Sequence, residues 1–167
     1  MTNSGSLLCS SVDFAGLSTD ILRSGKSLSF TAHGVSMRPL LRDGDILKIE
    51  AIRDGRLRIG EIVFCRTLEG HIVVHRVVGR QLYDGKKYYL VQGDQVGNPD
   101  GLIPFEQLFG RVISVERAGQ VFYTGSAAMR LLGLFAVLRS RTRSGYCWWR
   151  VPVQLARKLP LFYQYLL

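Results

Sequence analysis

Short runs in which apolar and polar residues alternate, separated by turn residues, fill most of the chain from residue 27 to residue 123. Alternation with a period of two is typical of strands that bury one face. It predicts strands over residues 27–32, 46–49, 61–66, 71–82, 88–92, 108–116 and 120–123. Asp84-Gly85 is a strong hairpin signal, and a loop rich in Gly, Asp, Asn and Pro covers residues 93–104. We therefore predict a mainly β domain of short strands.

The pattern changes to a helical period at both ends of the chain. After a loose start over residues 1–15, Ser18, Thr19 and Asp20 are good N-cap residues and predict a short helix that ends before Gly25. Residues 126–138 place apolar side chains at helical spacing, and arginines lie near the ends of this run. The chain is thus predicted to divide into an N-terminal segment (1–29), a β-rich domain (30–124) and a basic, amphipathic helical tail (125–167).

Composition narrows the class of protein. The chain is 47% hydrophobic and 21% charged, so it can bury a core and is not disordered. Its three cysteines, Cys9, Cys65 and Cys147, are far apart and odd in number. They suit neither a disulfide framework nor the spacing of metal ligands, which favours a reducing compartment. We expect no metal and no cofactor.

The net charge of +9 is concentrated in the tail. Residues 1–116 carry fourteen Lys and Arg against thirteen Asp and Glu, whereas residues 117–167 carry eight Lys and Arg and no acid. A nearly neutral domain with a basic tail indicates an anionic surface, such as phospholipid or nucleic acid, as a partner.

Aromatic residues in the tail favour a membrane over the other anionic partners. Such residues suit the headgroup zone of a bilayer, and the tail contains Trp148, Trp149, Phe162, Tyr163 and Tyr165. The alternative is that the tail helix packs back on the β domain and its charges are simply solvated. The sequence leaves both readings open.

The N-terminus lacks the basic start and the apolar core of a signal peptide, and no stretch approaches the length needed to span a bilayer. This predicts a cytoplasmic protein, and the membrane reading of the tail would place it peripherally on the inner face of the membrane.

The stretch GVSMRPLLRDGD, residues 34–45, contains the first candidate for chemistry. Ser36 lies between the permissive Gly34 and the bulky Met37, and Pro39 keeps a helix from running through the turn. A serine held at a junction between a strand and a turn is exposed and fixed, as a nucleophile must be. The alternative is that Ser36 only caps a short helix.

A histidine and two acids complete a possible catalytic set. His75 lies within a predicted strand, and Asp94 and Asp100 lie in the loop that follows the next strand. A lone histidine in a strand is usually structural, and loop acids are usually solvated turn formers. Together with Ser36, however, they provide a nucleophile, a general base and an orienting carboxylate. Composition alone does not show that these side chains converge.

Five blocks of sequence occur in an order that resembles the signal peptidase family. That family shares its β-rich catalytic fold with the self-cleaving SOS repressors. The resemblance covers residues 30–115, about half of the chain. The blocks are the turn at 34–45 with its Ser-Met-x-Pro core, GEIVF at 60–64, VHRVV at 74–78, Gly-Asp at 93–94 and GRV at 110–112.

The resemblance implies roles for individual residues. His75 stands where the bacterial enzymes carry a lysine, which is similar to the archaeal and endoplasmic-reticulum type. Ser36 would then be the nucleophile, His75 its base, and the later acid, Asp100, the orienting carboxylate. The remaining motif positions would support them: Gly34, Met37, Pro39, Arg76 and Asp94. Histidine is a competent base at neutral pH, whereas lysine needs strong desolvation.

An acyl-enzyme mechanism also needs an oxyanion hole, for which the Ser36 backbone N–H is the obvious donor. Some relatives add a hydroxyl two residues before the nucleophile, where this chain has Gly34. The loss of one such donor can lower the rate about 10²–10³-fold.

We therefore predict a serine endopeptidase that cleaves a peptide or protein precursor, with the substrate added as an extended strand. The alternative is a weak or inactive peptide-binding module of the same fold. A nucleic-acid-associated regulator is less favoured, because the segment before the first strand is too short for a separate reading domain. No nucleic acid is expected as a partner. The sequence predicts neither the cleavage motif nor the oligomeric state.

Overall fold

Eight strands and two helices form the part of the chain that the computed structural model describes, residues 11–53 and 57–143. The helices are α1 (Ser11–Arg23) and α2 (Ala127–Arg143). The strands are β1 (Leu28–Thr31), β2 (Ile46–Glu50), β3 (Ile62–Arg66), β4 (Ile72–Tyr83), β5 (Lys86–Gln92), β6 (Gly101–Pro104), β7 (Leu108–Arg117) and β8 (Gln120–Tyr123). A single 3₁₀ turn, Phe105–Gln107, joins β6 to β7. The prediction of a mainly β fold is confirmed.

The strands form one antiparallel sheet in the order β1-β2-β7-β3-β4-β5-β6, and β8 pairs with β7. β7 is the central element. One of its edges pairs with β2, and its other edge pairs first with β3 and then with β8. Residues far apart in the sequence are thereby brought to neighbouring strands.

Hydrophobic cores lie on both faces of the sheet. Side chains of a strand point alternately to its two faces, and β3 shows this directly. Ile62 and Phe64 belong to one core with residues of α1 and β2, whereas Val63 and Cys65 belong to the other core with residues of β5 and β6. Because β3 is buried on both faces, its sequence is a continuous run of apolar residues up to Cys65 and does not alternate.

The predicted start of the first helix was wrong. α1 already covers Ser11, and Ser18 lies buried inside the helix instead of capping it. Phe14 packs edge-on against the rings of Phe30 and Phe64, so tertiary packing stabilises a turn that the local sequence signals did not indicate.

The predicted loop at residues 93–104 also needs correction, because it contains β6. This strand pairs with β5 at the border of the sheet, where Gly101 and Pro104 are tolerated. The buried Ile103 is its main contribution to the core. The correction matters because β6 begins directly after Asp100.

The predicted helix at residues 126–138 is confirmed and extends to Arg143 as α2. It packs on the β domain through Gly133 and Val137, which are buried, as the second reading of the tail anticipated. The aromatic residues of the tail beyond it lie outside the described residues. Within the described part, neither helix has the length and apolar character that a bilayer crossing requires.

Candidate active site

The turn that carries Ser36 is anchored on both sides. Gly34, with a φ of 106°, donates its N–H to Asp43 Oδ1 at 2.9 Å, which lowers the pKa of that carboxyl. Met37 is buried in the core beneath the turn, and the Arg38–Pro39 peptide bond is cis. Gly34 and Met37 thus anchor the turn on either side of Ser36. The supporting roles that the resemblance implies for Gly34, Met37 and Pro39 stay predictions.

Asp45 ties the end of this turn to β7. Its buried carboxylate accepts the Arg42 N–H at 2.7 Å and two N–H groups of Arg117 at 2.7 and 2.6 Å. Burial alone would raise the pKa of Asp45, but the hydrogen bonds from Arg117 and Arg42 outweigh it, and the pKa is lowered. The carboxylate is thus held in its charged form.

Ser36, His75 and Asp100 form one hydrogen-bonded line. Ser36 Oγ lies 2.9 Å from His75 Nε2, and Asp100 Oδ2 lies 2.6 Å from His75 Nδ1. His75 is 7% exposed and Asp100 is 18% exposed. Since a carboxylate only accepts hydrogen bonds, Nδ1 carries the proton and Nε2 can accept one from the serine hydroxyl. From the sequence, these three residues were only candidates. The fold brings them together from three separate segments of the chain.

Asp94 has a different partner from Asp100. It accepts two hydrogen bonds from Arg76, at 2.8 and 2.6 Å, and Arg76 also donates to the Gly60 carbonyl at 2.7 Å. Arg76 is 2% exposed and Asp94 is 8% exposed, so this is a buried bidentate ion pair. His75 and Arg76 are neighbours on β4 and project to opposite faces of the sheet. Asp94 and Arg76 thus support the loop from behind the site.

A hydrogen-bond network that the sequence did not reveal holds the loop against the serine. The Gln95 N–H donates to the Ser36 carbonyl at 2.7 Å. Gln92 donates to the Val96 carbonyl at 2.7 Å and accepts a hydrogen bond from Ser140 Oγ of α2 at 2.6 Å. A glutamine at the end of a strand has no distinctive signal in a single sequence, so only the fold identifies this role.

Gly93 allows the loop to approach the catalytic line closely. A Cβ at this position would lie 3.1 Å from His75 Nε2 and 3.0 Å from the Ser36 carbonyl oxygen. Contacts this short require the histidine or the serine backbone to move. A glycine is therefore needed at position 93, because a side chain there would be too close to His75 and to the Ser36 backbone.

A groove of about 420 Å³ opens beside Ser36 and His75. Its two walls are residues 31–34, which follow the outer strand β1, and residues 72–75 of β4. Among the described strands, this part of β4 pairs with β3 alone, since β5 joins β4 only from Arg76 onward. Residues 72–75 of β4 thus offer an unpaired strand edge to an extended peptide. On the other wall, backbone groups of Ala32 and Gly34 are already hydrogen-bonded to residues 43–45. The apolar part of the lining is Phe14, Phe30, Ala32, Met37, Leu41, Phe64, Ile72, Val73 and Val74.

The backbone amide of Ser36 is available as a hydrogen-bond donor next to the serine hydroxyl. The Ser36 N–H forms no hydrogen bond with any residue that the structure describes. The Gly34 N–H is occupied by Asp43, and Gly34 has no side chain to add a second donor. The arrangement therefore provides the donor expected from the nucleophile itself.

Cys65 lies near this site without the properties of a second nucleophile. Burial raises the pKa of its thiol to about 12, and the negative charge of Asp100 adds to the shift. The thiol thus stays protonated at neutral pH, and thiols in that form are inert. Across residues 11–53 and 57–143, no group of His, Cys, Asp and Glu side chains is arranged to hold a metal ion.

No protein-family model matches the chain, and a search of curated proteins gives no match either. The likeness to signal peptidases thus rests on the five sequence blocks, and family membership stays a prediction.

Proposed function

We propose that this chain is a serine endopeptidase of the signal peptidase-like type, with Ser36 as nucleophile, His75 as general base and Asp100 as orienting carboxylate. One observation carries the proposal. The hydrogen-bonded line of these three side chains lies at an apolar groove, and one wall of this groove is the unpaired edge of β4 at residues 72–75. Such a line is recognised by its geometry and not by the order of its residues in the chain.

The geometry supports a two-step acyl transfer. His75 Nε2 accepts the Ser36 proton while Oγ attacks the scissile carbonyl, and the Ser36 N–H stabilises the oxyanion. The same proton then passes to the leaving amine, which departs and leaves an ester on Ser36. Water, deprotonated by His75, attacks this ester, and His75 returns the proton to Ser36 Oγ as the new carboxyl end is released. Asp100 keeps the imidazole in the required tautomer and stabilises its charged form.

The groove supports an extended peptide as substrate. Main-chain hydrogen bonds to residues 72–75 would hold the peptide as an added strand, and every second side chain would point into the groove. Because the lining is largely apolar, uncharged side chains are preferred at the buried positions.

Cleavage of a signal-type peptide with small residues before the scissile bond tests this function. The purified full chain should cleave at one bond, and Ser36→Ala should lose the activity while keeping its thermal unfolding transition. Ser27→Ala, which alters an exposed serine outside the groove, is the matched control and should cleave normally. Retained cleavage by Ser36→Ala would rule out the mechanism.

A peptide-binding module is the second candidate, and the missing side chain at Gly34 favours it. In that case the peptide would bind equally well to the wild-type chain and to Ser36→Ala, and neither would cleave it. Binding measured by fluorescence polarisation, alongside the cleavage assay, separates the two functions.

A further inference from the structure

Helix α2 has one face on the β domain and one apolar face in solvent. Gly133 approaches Gly60 and Arg76 closely, and the buried Val137 lies one turn further along. The opposite stripe consists of large apolar residues that are each 50–68% exposed: Leu131, Leu134, Phe135 and Leu138. Their spacing of three and four residues places them in one row on the helix. An exposed apolar row of this kind marks an interaction surface.

The last strand extends the apolar surface. The side chains of Val121, Phe122 and Tyr123 on β8 are all more than 40% exposed. Tyr123 and Leu134 line the same groove, so the strand and the helix form a common surface. We call α2 and β8, together with this groove, the docking face.

The groove of the docking face is strongly basic. Its volume is about 830 Å³, and Arg53, Arg58, Arg111 and Arg130 line it beside a single carboxylate, Glu61. Glu61 lies 3.9 Å from Arg111, whereas the other three arginines form no ion pair with any described residue. Arg76 also lines the groove, but Asp94 neutralises it. The net charge of the groove is therefore positive.

We propose that the docking face binds the surface of an anionic phospholipid bilayer. The apolar side chains of α2 and β8 would enter the boundary between headgroups and acyl chains, and the arginines would contact lipid phosphates. A second copy of the chain fits less well, because a two-fold contact would bring together the arginines of both copies that pair with no described carboxylate. The exposed apolar row of α2 matches the acyl boundary of such a membrane, and the adjacent arginines match its negatively charged headgroups.

The docking face does not include the peptide groove. The basic groove and the peptide groove have no lining residue in common, although Arg76 and His75 are neighbours on β4. Lipid bound at the docking face would contact residues other than those that line the peptide groove. The proposal does not depend on catalysis, since it concerns a different surface.

Co-sedimentation of the full chain with vesicles tests the proposal. The chain should pellet with phosphatidylcholine vesicles that contain phosphatidylglycerol and remain in the supernatant with pure phosphatidylcholine. Leu134→Ser/Phe135→Ser and, separately, Arg53→Gln/Arg58→Gln/Arg130→Gln should each lower the apparent affinity at least about tenfold. Added salt should weaken binding of the wild-type chain.

Matched variants elsewhere on the surface serve as controls. Leu82→Ser removes an exposed leucine from the β4–β5 hairpin, and Arg23→Gln/Lys26→Gln/Arg80→Gln removes three exposed charges away from the docking face. Both should bind vesicles like the wild-type chain. All altered side chains are exposed, and a thermal unfolding transition like that of the wild-type chain confirms folding.

Three results would overturn the proposal. In the first, the docking-face variants and the wild-type chain pellet to the same extent. In the second, glycerol phosphate in solution binds as tightly as the vesicles do, which would indicate a site for free anions. In the third, sedimentation velocity shows a dimer that Leu134→Ser/Phe135→Ser dissociates, and no vesicle binding is seen.

Discussion

The ring of His75 is positioned by hydrogen bonds of 2.6 Å to Asp100 and 2.9 Å to Ser36, and Gly93 lies close to its Nε2 atom. We predict that Gly93→Ala lowers kcat/KM about 10–100-fold, because its Cβ would displace the imidazole by a few tenths of an ångström. Gly97→Ala in the same loop is the control, since a Cβ there meets nothing within 4 Å. Equal cleavage rates for both variants would show that the approach of Gly93 has no catalytic importance.

Substitution of Asp100 should lower activity, whereas substitution of Asp94 should lower stability. Asp100→Asn should lower kcat about 10⁴-fold with little change in stability, because an amide no longer fixes the imidazole tautomer. Asp94→Asn should destabilise the fold by about 3–5 kcal/mol, because it leaves the buried charge of Arg76 without a partner. Peptide cleavage and urea unfolding measured on both variants test the assignment. The opposite result, with Asp94→Asn inactive but stable, would exchange the two roles.

The catalytic turn, as an element, depends on the ion pair between Asp45 and Arg117. The pKa of Asp45 in the folded state lies below its ordinary value of 3.8. Its contribution to stability is therefore complete above pH 3.8 and is lost as the pH falls through the lower folded-state value. Asp45→Asn should cost about 1–3 kcal/mol at neutral pH.

Urea unfolding of the wild-type chain and Asp45→Asn over a series of pH values checks this prediction. The difference in unfolding free energy should be constant near neutrality and should shrink as the carboxylate becomes protonated. A difference that stays constant down to the most acidic conditions would show that the charge of Asp45 is not what stabilises the turn.

Strand β7 is packed too closely at Gly110 to accept a side chain. A Cβ at this position would lie 2.6 Å from Ile49 Cγ2 and 2.7 Å from the Glu50 carbonyl oxygen. Gly110→Ala should therefore destabilise the sheet by about 1–3 kcal/mol, measured by urea unfolding. Gly16→Ala in α1 meets nothing within 4 Å and should instead stabilise by about 0.5–1 kcal/mol. Similar effects of both substitutions would contradict this packing.

Strands with clear alternation and hairpin turns could be predicted from the sequence, since those signals are local. β6 could not, because two of its four residues are Gly101 and Pro104, and its pairing with β5 is a long-range contact. The start of α1 was missed for the same reason, as the packing of Phe14 on Phe30 stabilises it.

The site was predictable only in part. Ser36 and His75 came from the motif blocks, and Asp100 was the later of two loop acids that the resemblance favours, but their convergence depends on three elements that pairing brings together. The support of the loop by Gln92 and Ser140 involves residues 48 positions apart, which no local pattern indicates.

At the scale of the whole molecule, two grooves with different chemistry have no lining residue in common. Ser36, His75 and apolar side chains line one groove, and arginines line the other beside the exposed side chains of α2. The hydrogen bond between Ser140 and Gln92 links α2 to the loop that contacts the Ser36 carbonyl. The helix is thus part of the support of the active site as well as part of the docking face.

The most direct test of the central claim is whether His75 activates Ser36 as a nucleophile. The full chain would be exposed to a fluorophosphonate, and intact mass followed by peptide mapping would locate any adduct. We predict one adduct on Ser36 in the wild-type chain, none in Ser36→Ala and a strongly reduced amount in His75→Ala. A folded wild-type chain that forms no adduct, or equal labelling of His75→Ala, would contradict the claim.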